Sequence, residues 1–354
     1  MNHPSPDVSG PVPSPADAPQ EAGPVPLRGA GLNWKWALLA GAGYGLCMRL
    51  LFGFEWFATA VDSGPMLGAF VVLVPFVLGM LAMYLERDRK HGFARSLIVP
   101  WLPLLVFVAG TAALLIEGSI CIVMALPIFL ALSSCGGAAA WLVLKFIEPS
   151  RSSVGAVLLL PLLAGAFERQ LPPPSILRVA EADTYIQASP EAVWQLINSA
   201  RDVQPQEMSG GLAWRIGVPY PVEAVTVTEA QGRVRKLRWQ GGVAFDEPIL
   251  GWQENRYIRW RYVFDPASFP PGTFDEHVLI GGKHFDLLDT SYRLTPEGDG
   301  TRLAIRVSYR ISTRFNGYAD AWGRVLVGNA AETILGFYRD RSERVAASAQ
   351  RTQG

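Results

Sequence analysis

The sequence predicts two unlike parts in one chain. An α-helical transmembrane bundle runs to about residue 170, and an α+β domain follows, in which an antiparallel sheet wraps a long C-terminal helix. Three observations carry this reading. Between Trp34 and Phe167 the chain is almost continuously apolar, in runs suited to a hydrocarbon layer that takes about 20 residues to cross. From Ala180 onward apolar and charged residues alternate, as a half-buried sheet requires. Between Tyr318 and Val345, Trp322, Leu326, Ala330, Ile334 and Phe337 recur at helical spacing and offer that sheet an apolar face.

Composition narrows the function. In 354 residues, 31 Lys and Arg balance 31 Asp and Glu, so the net charge is +0 and no basic field invites nucleic acid. Cys47, Cys121 and Cys135 all lie in apolar runs, where a thiol behaves as a small buried hydrophobe. The second part has no cysteine and must be stable without disulfides.

Residues 1–32 are rich in Pro, Ala and Gly and lack an aromatic, which predicts a disordered tail. Neither an early basic stretch nor an early apolar core marks a cleavable signal peptide, so the first spanning helix acts as the insertion signal. The bundle is expected over 33–170, with crossings at Trp34 to Phe54, Pro65 to Leu85, Leu97 to Ile116 and Ile120 to Phe146, and a fifth, shorter run from Val154 to Phe167. Trp34, Trp36, Trp56, Trp101 and Trp141 sit towards segment ends, as interfacial anchors do.

The loops orient the bundle. Arg28, Lys35, Arg87, Arg89, Lys90, Arg95, Lys145 and Arg151 all fall on the N-terminal side, whereas the loops of the other side carry Glu55, Asp62 and Glu117 and no cation. The positive-inside rule then puts the N-terminus in the cytoplasm of a bacterial-type inner membrane. If the fifth run crosses, the second part is periplasmic. If it forms a re-entrant hairpin instead, that part is cytoplasmic. Arg49 is the unusual intramembrane residue, either paired with Glu117 or snorkelling to the nearer interface.

Pro172, Pro173 and Pro174 read as a stiff spacer within a linker at 171–178, followed by a domain at 179–347 and a tail at 348–354. Thr184 to Ala188 reads as a strand. Ser189 and Pro190 supply an N-cap and a first-turn proline for the helix PEAVWQLINSA, whose Val193, Leu196 and Ile197 share a face. Strands are expected at Glu223 to Thr228, Val234 to Trp239, Val243 to Asp246, Arg256 to Phe264, His284 to Thr295 and Arg302 to Thr313. In the last, Leu303, Ile305, Val307, Tyr309 and Ile311 oppose Arg302, Arg306, Ser308 and Arg310, so one sheet face is covered and one is wet.

This order, with YIQASPEAVWQLI at 185–197, ENRYIRWRYVF at 254–264 and a final helix ending ETILGFYRDRSERV, resembles the START-like or SRPBCC superfamily, the Bet v 1-like helix-grip group that includes polyketide cyclase/dehydrase and lipid-transfer relatives. The resemblance covers about half of the chain and none of the bundle. It implies a deep apolar cavity and a hydrophobic small-molecule ligand, with membrane lipids as the second partner. It implies neither a cofactor nor an enzyme, since that group has no universal catalytic residue to carry over.

The candidate ligand-binding residues are Trp260, Tyr262, His284, Asp286, Tyr292 and Trp322. Trp260 and Tyr262 share a strand face with Ile258 and Phe264, either as cavity wall or as filled core. His284 and Asp286 share a face with Leu288, Tyr292 and Leu294, either as polar groups of a cavity or as a solvated rim. His277, His284 and a carboxylate match no recurrent metal-ligand spacing. No Walker loop, Ser-His-Asp order or Gly-rich nucleotide fingerprint is present; GGLAW at 210 and GGK at 281 are turn glycines. The reading is therefore a membrane-anchored domain that binds a lipid or other apolar molecule, in lipid transfer or sensing. The alternatives are a cyclase or hydrolase using the same cavity, and a structural module without ligand.

Overall fold

The computed structural model describes residues 34–60, 62–87, 92–274 and 277–353. The tail expected at 1–32 lies outside them. In the first part, α1 spans Trp34–Phe52, α2 Val74–Leu85, α3 Phe93–Ile98, α4 Trp101–Ala113, α5 Ser119–Phe146 and α6 Arg151–Glu168. Three helical stretches, Phe93–Ala113, Ser119–Phe146 and Arg151–Glu168, are long and apolar enough to cross a membrane, and Ala69–Leu85 is a shorter apolar helix. The second stretch therefore starts after the expected Pro65. Gly64–Met66 makes a 3-10 turn and Leu67 is extended, so the chain turns helical only beyond it. The last stretch, the weakest on apolar length alone, gains a turn because Ser150 Oγ accepts from Ser153 N at 3.2 Å and caps it.

Small residues bring α2 and α5 into contact. A Cβ at Gly79 would lie 2.0 Å from the Ser133 carbonyl oxygen, and one at Gly136 would lie 1.9 Å from that of Phe76. Close backbone approach of this kind gains van der Waals contact between the two helices.

The second part begins directly after Pro174. The strands are β1 Ser175–Ile186, β2 Ser199–Ala200, β3 Pro221–Glu229, β4 Gly232–Trp239, β5 Ala244–Gln253, β6 Tyr257–Arg261, β7 Phe285–Glu297 and β8 Gly300–Ser312. They form one antiparallel order, β1-β8-β7-β6-β5-β4-β3-β2. β1 starts nine residues before the expected Thr184, because it pairs along the whole of β8, from Ser175 opposite Ser312 to Ile186 opposite Thr301. Helices α7 Pro190–Asn198 and α8 Leu212–Arg215 interrupt the strands, and α9 Asn316–Gln353 closes the domain. Ser189 caps α7, accepting from Ala192 N, as its position before Pro190 demands.

Burial follows the alternation. Leu303, Ile305, Val307, Tyr309 and Ile311 of β8 are buried with Ile258 and Trp260 of β6 beneath α9. Each such side chain contributes about 1.5–3 kcal/mol by leaving water. α9 lies close to the sheet at Gly323, where a Cβ would sit 2.9 Å from Ile311 Cδ1. Gly328 and Gly336 meet nothing within 4 Å, so they serve no close approach.

The two parts dock through three places on the bundle. From the chain between α1 and α2, the Thr59 carbonyl accepts from Lys283 Nζ at 2.7 Å and Asp62 accepts from Arg314 Nε at 3.1 Å. At the start of α5, Ser119 Oγ donates to the Ile216 carbonyl, and Tyr318 donates to that of Met124. At the end of α6, Glu168 lies 3.3 Å from Arg314 Nε while its two oxygens accept from Gly68 N and Ala69 N. A carboxylate there satisfies the free N–H groups at the start of the Ala69–Leu85 helix.

The α2–α5 contact is testable. Gly136→Leu should force the helices apart and lower the thermal midpoint of the detergent-solubilised protein, an overpacking cost on the order of 1–3 kcal/mol or more. Gly110→Leu, where an added side chain meets open space, should leave the midpoint nearly unchanged. Equal effects would mean that the close approach does not hold the bundle.

Candidate functional site

Beneath α9 the sheet does not close completely. A cavity remains that is walled by both the domain and the bundle and measures about 370 Å3 in all, within the usual range for a site that takes one small molecule. From β6, Trp260 projects into it, and Tyr262 follows just beyond the strand. Trp260 meets Tyr292 edge-on at 5.2 Å between ring centroids, and Tyr292 meets Tyr338 of α9 at 5.6 Å. The Tyr262 hydroxyl is 2.7 Å from Thr290 Oγ1. Burial raises the Tyr262 and Tyr292 phenols above their ordinary range, so both stay neutral hydrogen-bonding groups.

The expected His284, Asp286 and Tyr292 face is broken by a β-bulge. Pairing of β7 with β8 shifts register between Leu287 and Asp289, and one extra residue exchanges the faces of a strand. Phe285 and Leu287 line the cavity before the bulge, and Thr290 and Tyr292 after it. Asp286 therefore does not line it; its carboxylate is 3.8 Å from Arg310, and partial burial raises its pKa against that cation's pull. Trp322 is also absent from the wall. Leu326, Ala330, Ile334 and Phe337 do line it, but successive four-residue steps drift by about 40° at 100° per residue, and Trp322 has turned aside where Ala319 and Gly323 face inward.

His284 lines the cavity at its junction with the bundle. Its Nδ1 is 3.2 Å from the Ser312 carbonyl and must carry the proton to bond there, so Nε2 accepts from the Ser63 hydroxyl at 3.1 Å. Ser63 Oγ is also 3.3 Å from His277 Nδ1. Burial lowers the His284 pKa, outweighing the Ser312 carbonyl and Asp62, and favours the neutral ring. Close by, Arg49 of α1 donates to Glu117. Among the described residues no group of three or more His, Cys, Asp or Glu is placed to hold a metal ion.

Two further residues, Arg235 and Glu247, dominate the deep end, and neither stands among the candidates named from the sequence. They oppose each other directly across β4 and β5, bonded at 2.6 Å and both buried. Arg235 also donates to the Tyr338 hydroxyl at 3.1 Å and lies over the Trp260 ring, 4.8 Å from its centroid. Burial pushes the Glu247 carboxyl up to about 7 although Arg235 pulls the other way. For Arg235 burial opposes the charge, and Glu247 with the neighbouring phenols more than restores it. The signal was present in the alternation, which places Arg235 on one face with Leu237 and Trp239, and Glu247 with Phe245 and Ile249. Only strand register shows that the two meet.

No family model and no curated protein matches this sequence. Solved structures similar to it include a START superfamily protein from Mycobacterium smegmatis, at 15% identity over 47% of this chain and 98% of that one, with a TM-score of 0.32. An aromatase/cyclase, Zhui, from a Streptomyces species is 14% identical over 48% of this chain and 95% of its own, with a TM-score of 0.28. The di-domain aromatase/cyclase StfQ of the steffimycin biosynthetic pathway is 11% identical over 55% of this chain and 60% of its own, with a TM-score of 0.30. The strand order of the present chain, with α9 laid across one face of a continuous antiparallel sheet, gives its C-terminal half the α+β helix-grip arrangement expected from the sequence.

Proposed function

We propose that this domain binds a lipid or other apolar small molecule in the cavity beneath α9, and that the bundle holds it at a membrane for transfer or sensing of that molecule. The cavity itself carries the reading: an apolar space walled by Trp260, Tyr262 and Tyr292, with one buried ion pair at its deep end. A filled core, the mark of a purely structural module, would leave no such volume. Chemistry on an apolar substrate is the second reading, favoured by Glu247, a buried acid with its pKa near neutrality. Convergence of His284, Asp286 and Tyr292 does not support it, since Asp286 faces away.

The anchoring proposal includes a sidedness. The C-terminal half meets the bundle at the α1–α2 connection, the start of α5 and the end of α6. The loops between helices on this side carry no Lys or Arg, with Arg169 at the end of α6 and Arg49 in the last turn of α1 the cations beside them, and the side poorer in cations is the outer one. We therefore place the domain in the periplasm of a multi-pass inner-membrane protein.

Three measurements follow. Trp260→Leu should weaken retention of a long-chain alcohol, read by native mass spectrometry, about tenfold, while costing less than the ~3–5 kcal/mol typical of truncating a large aromatic in a filled core. Unchanged retention with a large loss of stability would remove the cavity reading. For Glu247, the folded state keeps a proton up to about pH 7 that the unfolded chain loses near 4.5. Its stabilising contribution is thus complete below 4.5 and disappears as pH rises through 7. The melting midpoint should fall across that window, and Glu247→Gln should flatten the dependence. For sidedness, a cysteine replacing the exposed Glu297 should react with a membrane-impermeant maleimide in intact spheroplasts; reaction only after lysis would put the domain in the cytoplasm.

A further inference from the structure

The cavity does not stop at the domain. Its wall continues onto the bundle through Phe70, Phe107, Thr111, Ala125 and Phe129. Phe129 lies ten residues beyond Ser119, where α5 begins, which at 1.5 Å per residue is about 15 Å into the bundle. That is half of a ~30 Å hydrocarbon core. One cavity therefore has walls both in the sheet, at Arg235 and Trp260, and in the bundle, at the depth of Phe129.

The charges on this wall are balanced. Above about pH 7, where Glu247 is ionised, the wall's cations, Arg49 and Arg235, are each bonded to a carboxylate, that of Glu117 and that of Glu247. Glu223, also on the wall, holds Arg201 and Arg238. A phosphate or carboxylate entering here would meet no uncompensated cation among the described wall residues and would lose its hydration without repayment. Neutral acceptors meet donors instead: Arg235 Nε and Trp239 Nε1 are buried N–H groups without a partner in the described structure, and buried donors are normally satisfied.

From these observations we infer that bundle and domain form one joint compartment, and that its occupant is an uncharged amphiphile with an apolar body and a hydroxyl or carbonyl oxygen, received from the hydrocarbon layer through the bundle. The inference rests on the binding reading above and adds to it the route and the ligand class. The oxygen would lie at the deep end, against Arg235, with the apolar body extending back past α9 towards α4 and α5.

The test uses the whole protein in lipid nanodiscs and a long-chain alcohol bearing a photoreactive diazirine, with the matching fatty acid in parallel. The alcohol should label the domain saturably, and on α4 it should label Phe107 and Thr111 in preference to Leu102, Leu105 and Val106, which are exposed on the outer face. The fatty acid should label the domain about tenfold less. Ala125→Trp and, separately, Val108→Trp fill the bundle arm and should each reduce domain labelling by the alcohol about tenfold, in preparations that elute and melt as the parent does.

Domain labelling that persists in a folded variant, or α4 labelling confined to the outer face, would overturn the joint compartment and leave binding by the domain standing. Equal labelling by the fatty acid would overturn the neutral class. No domain labelling by either probe would remove the binding reading itself.

Discussion

Arg314 is the interaction on which the arrangement of the two halves depends. It sits between the end of β8 and the start of α9, and its guanidinium reaches Asp62 at 3.1 Å and Glu168 at 3.3 Å, all three side chains being largely withdrawn from water. Asp62 precedes the Ala69–Leu85 helix, and Glu168 ends α6 while capping that same helix. One cation thus ties the turn that launches α9 to the two bundle segments nearest in space. Removing a single partner of a buried ionic group costs about 3–5 kcal/mol, because the remaining charge is left without compensation. Docking at this point also brings Ser63 against His277 and His284, and so sets where the bundle meets the open end of the sheet.

The cavity is a product of how the sheet is covered. α9 runs along the sheet with small residues inward, among them Ala319, Gly323 and Ala330, and so comes close to β8 at one end without filling the space at the other. Large rings on β6 and β7 line that space and pack edge-on with one another, which gives the wall rigidity without consuming the volume. The bulge in β7 adds to this. It turns Asp286 outward and Thr290 and Tyr292 inward, leaving a polar rim outside and aromatic surface within.

The Arg235–Glu247 pair is better explained by recognition than by stability. Two charges withdrawn from water cost several kcal/mol each, and their attraction does little more than recover this. An apolar pair of equal volume would serve the fold as well or better. What an apolar pair lacks is a set of oriented N–H donors at the end of an otherwise hydrocarbon-like space, held in place by Tyr338 and by the Trp260 ring.

The order of elements was legible in the sequence. Ser189 and Pro190 announced α7, the alternation from Arg302 announced β8 and its buried face, and the apolar runs announced the helices of the first part. Trp260 and Tyr262 could be named as wall residues from a period-two face, because a side chain's face along an unbroken strand is a local property; Tyr292 and His284 line the cavity too, although the bulge breaks the face on which they were named. Asp286 was misplaced because a bulge inserts a residue that no periodicity announces, and Trp322 because a four-residue spacing drifts from a 3.6-residue helix. Arg235 and Glu247 looked like ordinary charged residues until register set them opposite each other. The sequence by itself determined which segments are strands, which are apolar helices and which faces are buried, since these follow from local pattern and the hydrophobic effect. Only the tertiary structure decided that the deep end of the cavity is ionic and that its other end opens into the bundle, because both depend on strand register and on the docking of one packed body against another, and these are set by contacts between residues far apart in the chain.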